Sequence, residues 1–350
     1  MLDLLYAQAV GIRRSWYERH PEGRRRLQQA VISVGNLSVG GTGKTPLVRL
    51  IVEWLIARGE RPSILSRGYG RSRRQPGVVV VSDGTRVVAD VNLAGDEPLM
   101  LAQGTAGAII AVSEDRHLAG VLAERKLGAT VHVLDDGFQH VRLARDLDVL
   151  VTGLGEILGG RVLPFGRLRE APAAAARADV LVVMGADEQQ ARAEAWQLGV
   201  HEYCAAKRAV GAPGVYEGRR AVAVAGIGDP QQFFSGLRQA RWDVADTMTF
   251  RDHHAYTATD VHAISQKLAS AGADLVVTTE KDAVRLEQAG SDRVARDVAS
   301  PEASAKAAGP GIARALPFDW TAVPVSVEIE PRETLFGSIE AALLRARERS

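Results

Sequence analysis

Apolar residues in this chain arrive in short runs punctuated by glycine, and between them lie stretches whose apolar positions recur at helical spacing. VISVGN (31–36) predicts a buried strand, SVGGTGKT (38–45) a Gly-rich turn, and PLVRLIVEWLIARG (46–59) a helix. Pro46 is compatible with a first helical turn and Gly59 with a C-cap. Further apolar runs lie in PSILSRGYG (62–70), VVVVS (78–82), GTAGAIIAVS (104–113), ATVHVLDDG (129–137), LDVLVTG (147–153) and ADVLVVMG (178–185), with a helix predicted through residue 126. Uninterrupted apolar strands alternating with helices predict a parallel sheet covered on both faces.

The stretch from Val210 to Arg220 holds Gly211, Pro213, Gly214 and Gly218, a linker composition, and a fresh strand pattern follows in AVAVAGIG (221–228). Helices over FFSGLRQA and TDVHAISQKLASAG and a strand in DLVVTTEKD (274–282) predict a second, smaller α/β domain. Residues 291–314, rich in Ala, Ser and Gly, read as a loop or weak helix. Three segments result: 1–26, 27–215 and 216–350. A length of 350 residues suits two domains beyond the opening segment.

In that opening segment Leu2, Leu4, Leu5, Ala9, Ile12, Trp16 and Tyr17 recur at near-helical spacing. Six arginines (13, 14, 19, 24, 25, 26) face three acids, Asp3, Glu18 and Glu22. Two readings stay open on composition: a basic amphipathic helix lying in an anionic lipid interface, or a helix packed on the domain with a solvated charged face. The charges follow the apolar part, which argues against a signal peptide, and no run is long and apolar enough for a bilayer span. Over the whole chain 43 basic residues meet 42 acidic ones, so no global field favours nucleic acid. The single Cys204 has no partner for a disulfide, which suits a reducing cytoplasm.

SVGGTGKT is the most specific motif. Consecutive glycines between a strand and a helix let backbone N–H groups curl around a polyphosphate, with the helix N-terminus adding its positive end. Ser38, Val39, Gly40, Gly41, Thr42, Gly43, Lys44 and Thr45 would form this nucleotide cradle. Lys44 would reach the terminal phosphates and the Thr45 hydroxyl would ligate Mg²⁺. The chain carries only six lysines, so one inside a motif has weight. Such a loop needs an acidic residue at the end of another strand, because Mg²⁺ takes hard oxygen ligands. Asp135 and Asp136 of VHVLDDG supply it. The expected fold is therefore α/β, with a P-loop NTPase-type, mostly parallel sheet plus the smaller C-terminal domain. TTEKD (278–282) has the wrong spacing for a guanine-specifying motif, so ATP is preferred as the nucleotide. Lys281 and Asp282 are equally readable as a structural ion pair.

Several polar clusters follow strands, where ligands of open α/β sheets gather: SRGYG (66–70), AGDEP (94–98), VSEDR (112–116), DDGFQH (135–140) and RDHHAY (251–256). Together with VISVGNLSVGGTGKTP (31–46), LPFGRLRE (163–170), AVAGIGDPQQFF (223–234) and TTEKDAVRL (278–286), the series resembles the tetraacyldisaccharide 4′-kinase family from about residue 30 to 290. The resemblance implies transfer of the ATP γ-phosphate to the 4′-hydroxyl of a tetraacylated glucosamine disaccharide 1-phosphate. It implies Asp96 as general base with His253 as its dyad partner, His254 being the competing choice. Asp135 and Asp136 are implied as Mg²⁺ carboxylates with Gln139 and His140 nearby, and Arg67, Arg116 and Arg169 as contacts to anionic substrate. A lipid acceptor further implies peripheral attachment to the cytoplasmic face of the inner membrane, for which residues 1–26 are the candidate, and no obligatory protein partner is implied. The competing function is a P-loop switch or metallochaperone NTPase acting on a protein partner, although Val39 stands where many of those carry a second lysine.

Overall fold

The computed structural model describes residues 16–17, 19–68, 71, 73, 75–298 and 316–349. By its internal contacts the chain divides into two units, residues 1–208 with 326–350, and residues 209–325.

The first unit begins with β1 (Ala30–Gly35), every residue of which is buried, and passes through the Gly-rich loop into α1 (Lys44–Ala57). Leu47, Val48, Ile51, Val52 and Leu55 of α1 are buried, the spacing of one helix face. There follow β2 (Pro62–Ser66), β3 (Val79–Asp83), α2 (Val91–Ala94), α3 (Asp96–Gly104), β4 (Ile109–Val112), α4 (Arg116–Leu127), β5 (Val131–Asp135), β6 (Leu147–Gly153), β7 (Val180–Met184), α5 (Glu188–Leu198) and β8 (Glu202–Val210). The runs read from the sequence as strands are all strands, and the helix ahead of residue 126 is α4.

The second unit holds β9 (Arg220–Ala225), α6 (Pro230–Gln239), β10 (Asp243–Thr249), α7 (Ala258–Ala271), β11 (Leu275–Thr279), α8 (Glu280–Val298) and β12 (Asp319–Val323). Its sheet runs β10-β9-β11-β12 with every pairing parallel. Helix starts are chemically marked: Asp229 caps α6 ahead of Pro230, and Thr257 with Asp260 forms a capping box on α7. The apolar run of DLVVTTEKD stops being a strand at Thr279, and Glu280 opens a helix that continues into the region read as loop or weak helix.

The expected C-terminal domain 216–350 needs correction at its end. β13 (Val325–Glu330) hydrogen-bonds to β8, which makes the first unit's sheet nine-stranded, in the order β13-β8-β7-β6-β1-β5-β2-β4-β3. α9 (Arg332–Glu348) then packs over β1, β6 and β7. It buries Leu335, Phe336, Ile339, Ala342, Leu343 and Ala346, and the Phe336 ring stacks on Trp54 with centroids 4.7 Å apart. The physical reason is the unpaired side of β8, whose backbone needs partners that only a later strand provides. The sheet is mixed because β3 joins β4 antiparallel at its edge.

The opening segment also differs in its second half. Helix covers Trp16, Tyr17 and Arg19, but Pro21–Gly23 form a 3-10 turn, so the helix does not reach residue 26. Proline at 21 disfavours helical backbone at the preceding residue. Arg25 pairs with Asp115 at 2.6 Å and Arg26 with Asp146 at 3.2 Å, so two of the six arginines serve the domain's own acids. Residues 1–15 lie outside the described region. Among the described residues no helix is long and apolar enough to cross a membrane.

Candidate active site

The phosphate loop grows directly from β1. Val34 lies in register with Asp135 on β5, so the end of the first strand and the carboxylate at the end of its neighbour are side by side. Gly35 permits the close return of the chain: a Cβ there would sit 2.6 Å from the backbone nitrogen of Phe138. Gly43 precedes α1 with φ 88°, a left-handed conformation that favours glycine. Inside the turn the buried Asn36 amide donates to Thr42 Oγ1 at 2.9 Å and Ser38 Oγ at 3.3 Å. Ser38 and Thr42 therefore brace the loop from within. Gly41 faces open space where a side chain would project, whereas Gly40 and Gly43 are flanked by guanidinium groups of Arg167 and Arg208.

Around this loop the charges converge. Lys44 Nζ lies 3.4 Å from Asp136 Oδ1, and Arg169 donates to Asp136 Oδ2 at 2.8 Å and to Gln139 Oε1 at 3.0 Å. Gln139 in turn donates to the Asn36 carbonyl at 2.9 Å, tying DDGFQH to the loop. Burial, then Lys44 and Arg169, act on Asp136, and the two cations prevail, holding its carboxyl below the usual range. Asp135 is pushed the other way, by burial first and then by the charges of Glu97 and Asp136. Arg116, the first residue of α4, is buried; Asp135 and Asp136 favour its charge while burial and Arg67 oppose it. Of the residues expected here, Lys44, Asp135, Asp136, Arg67, Arg116, Gln139 and Arg169 thus share one electrostatic neighbourhood. Asp96 opens α3 beside Glu97, whose charge reaches Asp135.

His140 belongs to the same neighbourhood but cannot act as a cation. Burial, followed by the charges of Arg116 and Arg145, pushes its imidazole down to about 3. The unfolded chain takes up a proton on this ring near pH 6.5 and the folded chain does not. Stability from this group is therefore level above pH 6.5 and falls as pH drops toward 3, by about 1.4 kcal/mol per pH unit. Denaturant melts of His140→Gln should show a shallower loss between pH 6.5 and 4 than the parent chain, and an identical slope would disprove the neutral ring.

The acid pair suits Mg²⁺ by its donor chemistry. Thr45, Asp135 and Asp136 offer hard oxygens, and the elevated Asp135 pKa marks a carboxylate whose negative charge is under-compensated in a buried place. Among the described residues there is no cluster of three or more His, Cys, Asp or Glu side chains able to hold a metal alone, so water or phosphate oxygens would complete the shell.

The second unit carries its own polar cluster. His253 has φ 59°, left-handed for a non-glycine residue. Its Nε2 lies 3.2 Å from Lys281 Nζ and its Nδ1 lies 2.8 Å from the Arg285 guanidinium. Lys281 also donates to Asp252 Oδ1 at 3.1 Å. Lys281 and Asp282 do not pair: adjacent residues at a helix start diverge, and the fully buried Asp282 instead accepts from the Gly226 N–H at 2.9 Å and Thr279 Oγ1 at 2.7 Å. The two neighbouring histidines are placed differently. His254 bonds Asp260 at 3.1 Å and stacks on Phe250 with centroids 4.7 Å apart, while the His253 side chain is 37% exposed against 18% for His254.

The family described as LpxK, Tetraacyldisaccharide-1-P 4'-kinase, matches residues 1–335. The chain belongs to the LpxK family. The Tetraacyldisaccharide 4'-kinase of Geobacter metallireducens is 43% identical over 298 residues, covering 82% of this chain and 87% of that protein. Its namesake in Geobacter sulfurreducens is 40% identical over 81% of this chain and 82% of that protein. A crystal structure of the "apo" form of LpxK from Aquifex aeolicus in complex with ATP superposes with a TM-score of 0.74 at 28% identity, covering 98% of this chain and 97% of that one. The α/β P-loop fold expected from the sequence is thereby confirmed, and the switch or metallochaperone alternative is not favoured.

Sequence reasoning passed over four charged groups. Arg167 donates to the Val39 carbonyl through Nε at 3.1 Å and a terminal nitrogen at 2.8 Å, and Arg208 donates to the Gly41 carbonyl at 2.7 Å. Asp252 and Arg285 flank His253. Arg167 stands inside LPFGRLRE, two residues from Arg169, so the motif itself carried its signal. Arg208 had no local signal, because its partner is 167 residues away.

Proposed function

We propose that this LpxK family member transfers the γ-phosphate of ATP to the 4′-hydroxyl of a tetraacylated glucosamine disaccharide 1-phosphate, with Lys44, Asp96 and His253 as the groups that act on the reaction. The observation that carries this reading is the phosphate loop with Lys44 facing Asp136, beside Asp135, at the ends of adjacent strands. Backbone N–H groups of residues 40–45 and the start of α1 hold the phosphates. The Asp96 carboxylate takes the proton of the 4′-hydroxyl as its oxygen attacks phosphorus. The bond from phosphorus to the bridging oxygen breaks and its electron pair leaves with ADP. Lys44 offsets the negative charge on the transferring group. Thr45, Asp135 and Asp136 would hold Mg²⁺, which supplies Lewis-acid neutralisation of the phosphate oxygens when bound. His253 is the second protonatable group of the reading, and the engagement of His254 by Asp260 and Phe250 favours His253 over its neighbour. Arg67, Arg116, Arg169 and Gln139 contact the anionic substrates, and neutral His140 shapes the pocket beside Arg116. Incubation with radiolabelled ATP and the disaccharide acceptor should label the acceptor at its 4′ position. Label confined to inorganic phosphate would overturn the reading.

The acceptor is a lipid, so the enzyme must meet it at a membrane. We place this contact on residues 1–19 rather than 1–26, since Arg25 and Arg26 are engaged by Asp115 and Asp146. The attachment is peripheral, on the cytoplasmic face of the inner membrane where ATP is available. Deleting residues 1–19 should lower partitioning onto vesicles with anionic lipid at least about tenfold, in line with loss of an apolar and basic interfacial segment. Unchanged partitioning in a sedimentation assay would reject this placement.

A further inference from the structure

Two arginines lie against the phosphate loop from the side of its carbonyl groups. Arg167 grips the Val39 carbonyl with two donors, and the loop answers through the Val39 N–H to the Arg167 carbonyl at 2.8 Å. Its guanidinium fills the space a side chain at position 40 would need: a Cβ there would fall 2.1 Å from its terminal nitrogen. Arg208 bonds the Gly41 carbonyl, and its guanidinium stands 3.2 Å from where a Cβ of residue 43 would be. Gly40 and Gly43 therefore serve two ends. Each adopts positive φ, and each leaves room for a cation.

The charge balance of the site gives these arginines a use. Lys44 and Arg169 both face Asp136, so much of their charge is offset before any nucleotide arrives. The bonds that Arg167 and Arg208 make to the loop end on neutral carbonyls. A guanidinium binds phosphate oxygen more strongly than a carbonyl, and its planar fork suits two oxygens of one phosphate. We infer that Arg167 and Arg208 form a guanidinium pair that passes from the carbonyls of the phosphate loop to the terminal phosphate of ATP and neutralises its charge during transfer. The inference rests on the loop holding the triphosphate. It makes the two arginines readers of the third phosphate, so the chain distinguishes ATP from ADP through them.

Calorimetric binding of ATP and of ADP, without acceptor, tests this. In R167A/R208A the affinity for ATP should fall by about 10- to 100-fold more than the affinity for ADP, the range expected when hydrogen bonds to a charged group are removed. Equal weakening of both nucleotides would mean that the arginines only stiffen the loop, and unchanged binding would mean that they do not reach the nucleotide. Either result overturns the inference. R167K/R208K, which keeps the charge without the fork, should lose several-fold of the same discrimination, and it provides the measurement if the alanine variant fails to fold. Lys44→Ala separates the two levels of the argument. Should it bind both nucleotides like the parent chain, the loop itself is not the phosphate site; loss of both with discrimination unchanged in R167A/R208A refutes the arginine pair alone.

Discussion

Replacing Asp96 by Asn should lower kcat for acceptor phosphorylation by about 10³-fold and leave ATP affinity within about twofold. Asn preserves the shape of the side chain and its place at the start of α3 but cannot take a proton, and positioned general bases contribute about 10² to 10⁴ in rate. The residue does not belong to the loop that holds the phosphates, so nucleotide binding should survive. Single-turnover phosphorylation together with ATP calorimetry on the same preparation reads both quantities. Full turnover in Asp96→Asn would remove Asp96 from the chemistry, and loss of ATP binding would assign it to the nucleotide instead. His253→Gln should cost a smaller factor and alter the pH profile of kcat. His254→Ala should chiefly lower thermal stability, because that ring is packed on Phe250 and Tyr256.

The strands of the first unit were legible because a parallel sheet covered on both faces turns each strand into an unbroken apolar run, as in VISVGN and ADVLVVMG. The phosphate loop was legible for a different reason: its chemistry is local, with glycines, Lys44 and Thr45 contiguous in the chain. What escaped depends on contacts between distant residues. Nothing in VSVEIE (325–330) says that its partner is β8, more than a hundred residues earlier, so the last strand and helix were assigned to the wrong unit. The pairing of Lys281 with Asp252 and not with its neighbour Asp282 is of the same kind, decided by the loop ahead of α7. By composition Arg25 and Arg26 belong to a basic face, whereas the fold sets Asp115 and Asp146 opposite them. Composition counts charges, and only the fold says which are already neutralised.

Lys44→Ala should weaken ATP binding about 100-fold and lower kcat/KM by about 10³-fold or more. Two effects add. The ammonium is removed from the phosphates, and loss of one preorganised electrostatic partner costs about 10² to 10³ in rate. Asp136 also loses the cation at 3.4 Å, which leaves Arg169 as its ion-pair partner beside the already under-compensated Asp135. The site then offers one positive charge fewer to an anionic ligand and leaves the acid pair less compensated, so the variant loses more than one contact. Lys44→Arg should rescue little, since the larger fork does not fit where Lys44 is only 14% exposed at the start of α1. Because the two acids repel one another once the lysine is gone, the ligand-free variant should also melt at lower temperature, and raising Mg²⁺ should restore more stability to it than to the parent chain. Thermal melts across a Mg²⁺ series measure this without reference to catalysis. A variant whose stability ignores Mg²⁺ would show that Asp135 and Asp136 do not hold the metal, even if its activity were lost.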